Sequence, residues 1–216
     1  MAINQFLVDT AEYDWAALEN AELYDFQHVD PRYNDSFTAY GILINRVGVC
    51  AGYAAAFTLL ADAAGLESIV VTGYLEGFLP HAWNRVNIDG QWHTVDVTNN
   101  ANEFLFNIFL HLPDDVASTV LIENDKFVLN NYMYRYRSNT DDSEYFRITD
   151  RFFEIDAIAY ELANLIAEYG SATLRTDRNL SDETFMMIAQ DVLSMLNINN
   201  IYGFHWLGAI FLSDGT

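Results

Sequence analysis

Asp89-Gly90 stands between two alternating runs, His81 to Ile88 and Gln91 to Thr98. An Asp-Gly pair flanked in this way is a strong short-range signal for a β-hairpin, because a tight two-residue loop needs positive φ at both positions. With those residues as the loop, Ile88 pairs with Gln91, Trp83 with Asp96 and His81 with Thr98. His81 and Trp83 then share a face, and Asp96 is the diagonal neighbour of His81. Diagonal positions lie roughly 7–8 Å apart, within reach of two converging side chains. Ala82, Val86, Ile88, Val95 and Val97 take the opposite face and offer apolar surface to a core. A slip of one residue would separate the histidine from the aspartate.

The single cysteine lies upstream in Val49-Cys50-Ala51-Gly52-Tyr53-Ala54. From Cys50 to Ala64, Tyr53, Phe57, Leu60, Ala61 and Ala64 recur at three- and four-residue intervals, the apolar face of a helix, and Gly65 is the expected stop. Asn45 to Val49 has no helical period and reads as a loop, so Cys50 falls at the helix N-terminus. Free N–H groups and the positive dipole end there favour thiolate over thiol. A buried structural cysteine is the competing reading. A thiol, an imidazole and a carboxylate are the attacker, the base and the group that orients the base in an activated-nucleophile site. Cys50, His81 and Asp96 are therefore the candidate catalytic residues.

The cysteine helix start, His81-Ala82-Trp83-Asn84 and Trp92-His93-Thr94-Val95-Asp96-Val97-Thr98 resemble, in order and spacing, the three motifs of the transglutaminase-like cysteine superfamily, most closely its bacterial domains. Phe6-Leu7-Val8, Glu12-Tyr13-Asp14 and Thr38 to Asn45 extend the resemblance over roughly residues 4 to 112. It implies an α+β, papain-like or transglutaminase-like core, with N-terminal helices, the cysteine helix among them, packed on an antiparallel sheet. It also implies a Cys-His-Asp triad acting on protein or peptide amides through a thioester, with water or an amine as acceptor. The family includes peptidases, deamidases, cross-linkers and inactive members, so a silent binding or scaffold module of a bacterial surface protein is the alternative. Two departures bear on the cleft: Asn99-Asn100-Ala101-Asn102 stands where relatives usually carry tryptophan and acids, and Ala51 stands where they are often polar. Ile44 occupies the position of the papain-type oxyanion glutamine. The Cys50 N–H is the expected oxyanion donor, with Tyr40 or Asn45 as candidates for a second and Trp83 as a candidate wall of the substrate cleft.

Ten Lys+Arg against 31 Asp+Glu give the 216 residues a formal charge of −21. So acidic a chain disfavours nucleic acid and anionic membranes as partners. No apolar run approaches a membrane span. Met1 to Gln5 lacks the basic start and long apolar core of a signal peptide; the bacterial resemblance nonetheless implies a secreted or surface setting. No cofactor is expected. His93 falls on the far hairpin face from His81, so no metal cluster is expected, and neither a calcium loop nor a phosphate-binding glycine loop is present. His28 reads as a loop histidine without a partner motif, and His111 and His205 read as isolated.

Asn4 to Thr10 and Ser36 to Asn45 are expected helices, and Ser68 to Tyr74 a strand. Tyr132, Tyr134 and Tyr136 recur at period two and predict a strand with tyrosines on one face. The polar loop Ser138 to Ser143 divides a core, residues 1–140, from a mainly helical C-terminal extension, residues 141–216, packed on it. Within the extension Ile155 to Tyr169 is an amphipathic helix ended by Gly170, and Ser181 caps a second, Asp182 to Leu196. The apolar tail Ile201 to Leu212 is left as a strand, a helix or a docking patch.

Overall fold

The computed structural model describes residues 1–128 and 131–216. In chain order its elements are α1 (Ala2–Thr10), β1 (Glu12–Tyr13), α2 (Trp15–Leu23), β2 (Val47–Gly48), α3 (Cys50–Ala63), β3 (Ser68–Leu75), β4 (Leu79–Ile88), β5 (Gln91–Val95), α4 (Val97–Asn100), β6 (Leu110–Leu112), α5 (Asp114–Ala117), β7 (Leu121–Glu123) and α6 (Asp125–Val128). There follow α7 (Tyr145–Ile148), β8 (Phe152–Phe153), α8 (Ile155–Tyr169), β9 (Ser171–Thr176), α9 (Asp182–Leu196), β10 (Tyr202–Trp206) and β11 (Ala209–Ser213). The fold is α+β. Residues 1–101 and 109–141 form one compact unit, and residues 102–108 and 142–216 a second. Among the described residues no helix is long and apolar enough to cross a membrane.

The first unit is built on a five-stranded antiparallel sheet of order β6-β5-β4-β3-β7. Asp89 and Gly90 make the β4–β5 turn with φ of 51° and 85°, and the ladder pairs Ile88 with Gln91 and Asn84 with Val95. That is the register a two-residue loop dictates. Helix α3 packs on β3 and β4. There the buried Asn84 Nδ2 donates to Ala54 O and Thr58 Oγ1 at 3.0 and 2.9 Å, tying the helix to the strand inside the core.

The ladder ends earlier than the alternation suggests. Asp96 leaves the strand and caps α4, its Oδ1 accepting from the Asn99 N–H at 3.3 Å. An N-cap carboxylate fills one of the helix's unpaired donors, so Thr98 lies in a helical turn and does not face His81. Asn100 fixes that turn: its Nδ2 donates to Asn4 Oδ1 on α1 at 2.8 Å, and its Oδ1 accepts from the Phe109 N–H at 2.7 Å.

Two expectations need correction. The helix Ser36 to Asn45 is instead a 3-10 turn, Pro31–Phe37, and a π turn, Gly41–Asn45. Between them Thr38 is extended, with its N–H and hydroxyl both on Asp35 O at 3.0 and 2.8 Å; local bonds of this kind compete with a continuous helix. The tyrosines expected on a strand lie in a 3-10 helix, Asn131–Tyr136, while Leu129 and Asn130 of that run lie outside the described residues. The Arg135 guanidinium covers the Tyr132 and Tyr136 rings, 4.0 and 4.5 Å from their centroids. An i, i+3 contact belongs to a helical turn, and alternation does not reveal it.

Strand β3 passes so close to β7 that a Cβ at Gly73 would sit 2.0 Å from Ile122 O. Gly73→Ala is therefore expected to part these strands and cost about 1–3 kcal/mol. The measurement is the urea midpoint, and an unchanged midpoint would refute the close approach.

The second unit combines helices with a four-stranded sheet of order β10-β11-β9-β8, antiparallel except for β8 beside β9. Ile158, Leu162 and Ile166 of α8 pack with Val192 of α9, Leu174 of β9 and Ile210 of β11. Ser181 caps α9, accepting from the Thr184 N–H at 3.2 Å. The apolar tail is the β10–β11 hairpin. Residues 102–108 join this unit through rings and carbonyls: Phe104 packs against Phe204 and Phe211, Thr173 Oγ1 donates to Phe104 O and Arg175 Nη2 to Ile108 O, at 2.8 and 3.0 Å.

Candidate active site

Cys50 is the first residue of α3, and the preceding Val49 offers no side-chain cap. The thiol is half-buried, and the first-turn N–H groups make that position favourable to negative charge. The approach to the helix is fixed by a short parallel ladder in which Glu12 pairs with Val47 and Tyr13 with Gly48. The Val49 N–H donates to Ser36 O at 2.9 Å, and Ser36 Oγ donates to Asp14 Oδ2 at 2.6 Å. Cys50 thus emerges from a loop tied down on both sides.

His81 sits near the start of β4. Its Nε2 lies 2.6 Å from Asp96 Oδ2, with both residues buried. Cys50 shares the cleft with the imidazole and is close enough to act on its charge. Asp96 is held by Asn99 twice more, Nδ2 donating to Oδ2 at 2.6 Å and the backbone N–H to Oδ1. Burial disfavours the imidazolium, but the charge and hydrogen bond of Asp96, with a contribution from Cys50, outweigh it and raise the His81 pKa from 6.5 to about 10. The histidine therefore carries its proton at neutral pH.

That shift ties folding to pH. The folded state holds the proton more tightly than the unfolded chain, so this stabilisation is complete below pH 6.5 and lost as pH rises through about 10. The stability difference between wild type and His81→Gln should be largest near pH ~6 and narrow toward pH ~10, by at most about 1.4 kcal/mol per pH unit. Denaturant titrations of both proteins across that range test it; a difference independent of pH would contradict the raised value.

Cys50 and His81 open on a cleft of about 270 Å³, walled by Tyr13, Phe26, Phe37 and Tyr74. Its lining is largely apolar. Of the other residues singled out from the sequence, Tyr40 is 55% exposed, and the Asn45 amide donates to Asp35 Oδ2 at 3.3 Å. Both belong to the Gly41 turn, and neither lines the cleft. Trp83 is 2% exposed and outside the cleft, stacked 6.1 Å from the His81 ring. The sheet face on which it lies is covered, so it backs the histidine and does not meet solvent. His111 and His205 are not isolated: the rings of His111 and His93 lie 5.7 Å apart, and His205 Nε2 meets Asp182 Oδ1 at 3.1 Å.

Two residues at the site escaped sequence reasoning. Asn99 had a signal, because Asp96-Val97-Thr98-Asn99 has the spacing of a capped helix start. Tyr13 stood within the Glu12-Tyr13-Asp14 segment of the resemblance but was given no role, since its place in the cleft depends on a two-residue ladder between segments far apart in sequence.

Residues 1–97 match the family model of the transglutaminase-like superfamily, and the resemblance drawn from the three motifs is borne out at that level. The chain is similar to kyphoscoliosis peptidase of Mus musculus, 30% identical over 109 residues, which are 41% of this chain and 16% of that protein. The Homo sapiens protein of that name is 33% identical over 98 residues, 40% of this chain and 13% of its own length. This chain therefore spans less than a fifth of either relative. A crystal structure of a TGase is similar at 27% identity and a TM-score of 0.40, over 44% of this chain and 24% of that one.

Proposed function

From a chain whose residues 1–97 match the transglutaminase-like superfamily, we propose that it catalyses thiol-dependent acyl transfer or hydrolysis on protein or peptide amides. The observation that carries this reading is a half-buried Cys50 at a helix N-terminus that shares a cleft with His81, a histidine held by a buried aspartate at 2.6 Å. Cys50 Sγ attacks the amide carbonyl, and His81 returns a proton to the departing amine. Asp96, positioned by Asn99, orients the imidazole and stabilises its cation. Water or a primary amine then resolves the thioester through the same base.

The test is incubation of the full chain with glutamine-containing peptides, with and without a primary amine, followed by mass spectrometry. Wild type is expected to hydrolyse or aminolyse an amide, and Cys50→Ala to do neither. Equal product from both proteins would refute the cysteine mechanism. No product from either, with slow and His81-independent alkylation of Cys50, would favour a binding module that keeps the fold without the chemistry.

A further inference from the structure

An amide that reaches Cys50 shares the cleft with whatever stands next to it in the substrate, so the lining limits what that neighbour is. Leu18 and Pro80 join Tyr13, Phe26, Phe37 and Tyr74 around the thiol. Thr72 and Asn124 also line it but are bonded to each other, Asn124 Nδ2 donating to Thr72 Oγ1 at 3.0 Å. Among the described residues no Asp, Glu, Lys or Arg belongs to the lining. A substrate ammonium there would lose its water without gaining a counter-charge, and would face the His81 imidazolium. A carboxylate would find only that imidazolium, which Asp96 already holds at 2.6 Å. At about 270 Å³ the space is smaller than the roughly 300–1,000 Å³ of a pocket for a drug-sized ligand. It suits one large side chain beside the reacting amide.

Of the side chains around the cleft, only that of Phe26 is carried on a left-handed backbone, with φ of 56°. Bulky residues rarely adopt that conformation. The end of α2 is closed in this form by the Phe26 N–H on Ala21 O at 2.9 Å and the Asp25 N–H on Glu22 O at 3.0 Å. Glycine or asparagine is the usual residue at such a helix end. The phenylalanine is also 39% exposed, so core packing accounts for little of its presence. Strain kept at a position that faces a ligand site is the mark of a functional constraint. We propose that the substrate carries an uncharged apolar side chain, aromatic or large aliphatic, next to the amide that Cys50 attacks, and that Phe26 selects for it. This rests on the cysteine mechanism above and gives it a substrate class.

Methanethiosulfonates with one reactive group and different tails read the cleft directly, because Cys50 is the single cysteine. The thiolate attacks the sulfenyl sulfur, methanesulfinate leaves, and the tail stays on Cys50 as a disulfide. Rates are measured on the full chain with methyl, benzyl, sulfonatoethyl and trimethylammonioethyl reagents, in ~0.15 M salt to screen charge beyond about 8 Å. Each rate is divided by that of the same reagent with 2-mercaptoethanol and then by the methyl value, which cancels the reactivity of the thiol itself. The benzyl value is expected to be at least ~10, as burial of one ring allows. Both charged tails should fall at least ~10-fold below it, since neither finds a free counter-charge. Phe26→Asn, a residue that accepts the left-handed backbone, should lower the benzyl value at least ~3-fold through loss of one aromatic contact. A benzyl value near that of methyl, a charged tail that matches benzyl, or a Phe26→Asn protein that keeps the preference would each overturn the proposal. The cysteine mechanism fails separately, if His81→Ala is alkylated by iodoacetamide as fast as wild type.

Discussion

His81→Ala is expected to slow alkylation of Cys50 by iodoacetamide by on the order of 100-fold at pH ~5, and to bring the two proteins together by pH ~9. A thiol of ordinary pKa near 8.5 is only about 0.03% ionised at pH ~5. Beside an imidazolium the charged sulfur is favoured, and the His81 pKa of about 10 keeps that imidazolium protonated throughout the range. The expected factor is set below the ratio of ionised fractions, because alkylation depends on the reactivity of the sulfur as well as on its charge. At high pH the unassisted thiol ionises by itself and the advantage disappears. The variant leaves buried Asp96 without its histidine, although both Asn99 bonds remain. His81→Gln is the companion that offers Asp96 a neutral donor, and it should be as slow as His81→Ala. A rate that follows the ordinary thiol curve in wild type as well would remove the basis for nucleophilic catalysis.

The pairing behind that prediction was legible because it depends on short-range chemistry. Asp89-Gly90 fixes a turn, the turn fixes the register of β4 against β5, and the register brings His81 within reach of Asp96. The Cys50 helix was equally legible from its apolar period and terminal glycine. What failed were features in which a side chain overrules the pattern. Asp96 ends its strand by capping α4, Thr38 breaks a helix by bonding Asp35 O, and Arg135 gathers two tyrosines into a tight turn. Tyr13 lay further out of reach. Nothing local marks a two-residue ladder, yet that ladder brings a tyrosine into the cleft beside the nucleophile. Nor did the polar loop near residue 140 disclose that residues 102–108 join the second unit, where the Phe104 ring packs against Phe204 and Phe211 and two backbone carbonyls accept hydrogen bonds.

One of those carbonyls belongs to the buried group on which the second unit is expected to depend most. Arg175→Met should destabilise that unit by about 3–5 kcal/mol and lower its melting temperature by about 10 °C or more, read by differential scanning calorimetry of the full chain. Arg175 is 3% exposed; its guanidinium donates to Glu144 Oε1 at 3.2 Å and Ile108 O at 3.0 Å, and lies 5.1 Å from the Phe146 ring centroid. Burial lowers its pKa against the opposing pull of Glu144, and burial likewise raises that of Glu144 despite Arg175. Each charge is therefore tolerated largely because the other is present. Removing one strands its partner in a dry site and leaves the Ile108 carbonyl unsatisfied, which is why the single variant is severe. Arg175→Met combined with Glu144→Leu strands no charge and should recover most of the loss. A residual of about 1–3 kcal/mol should remain, because the Ile108 carbonyl still lacks its donor and Glu144 also caps α7 by accepting from the Arg147 N–H at 3.1 Å. If the double variant were as unstable as the single one, the cost would lie in lost packing around the guanidinium stem and not in an unpaired charge.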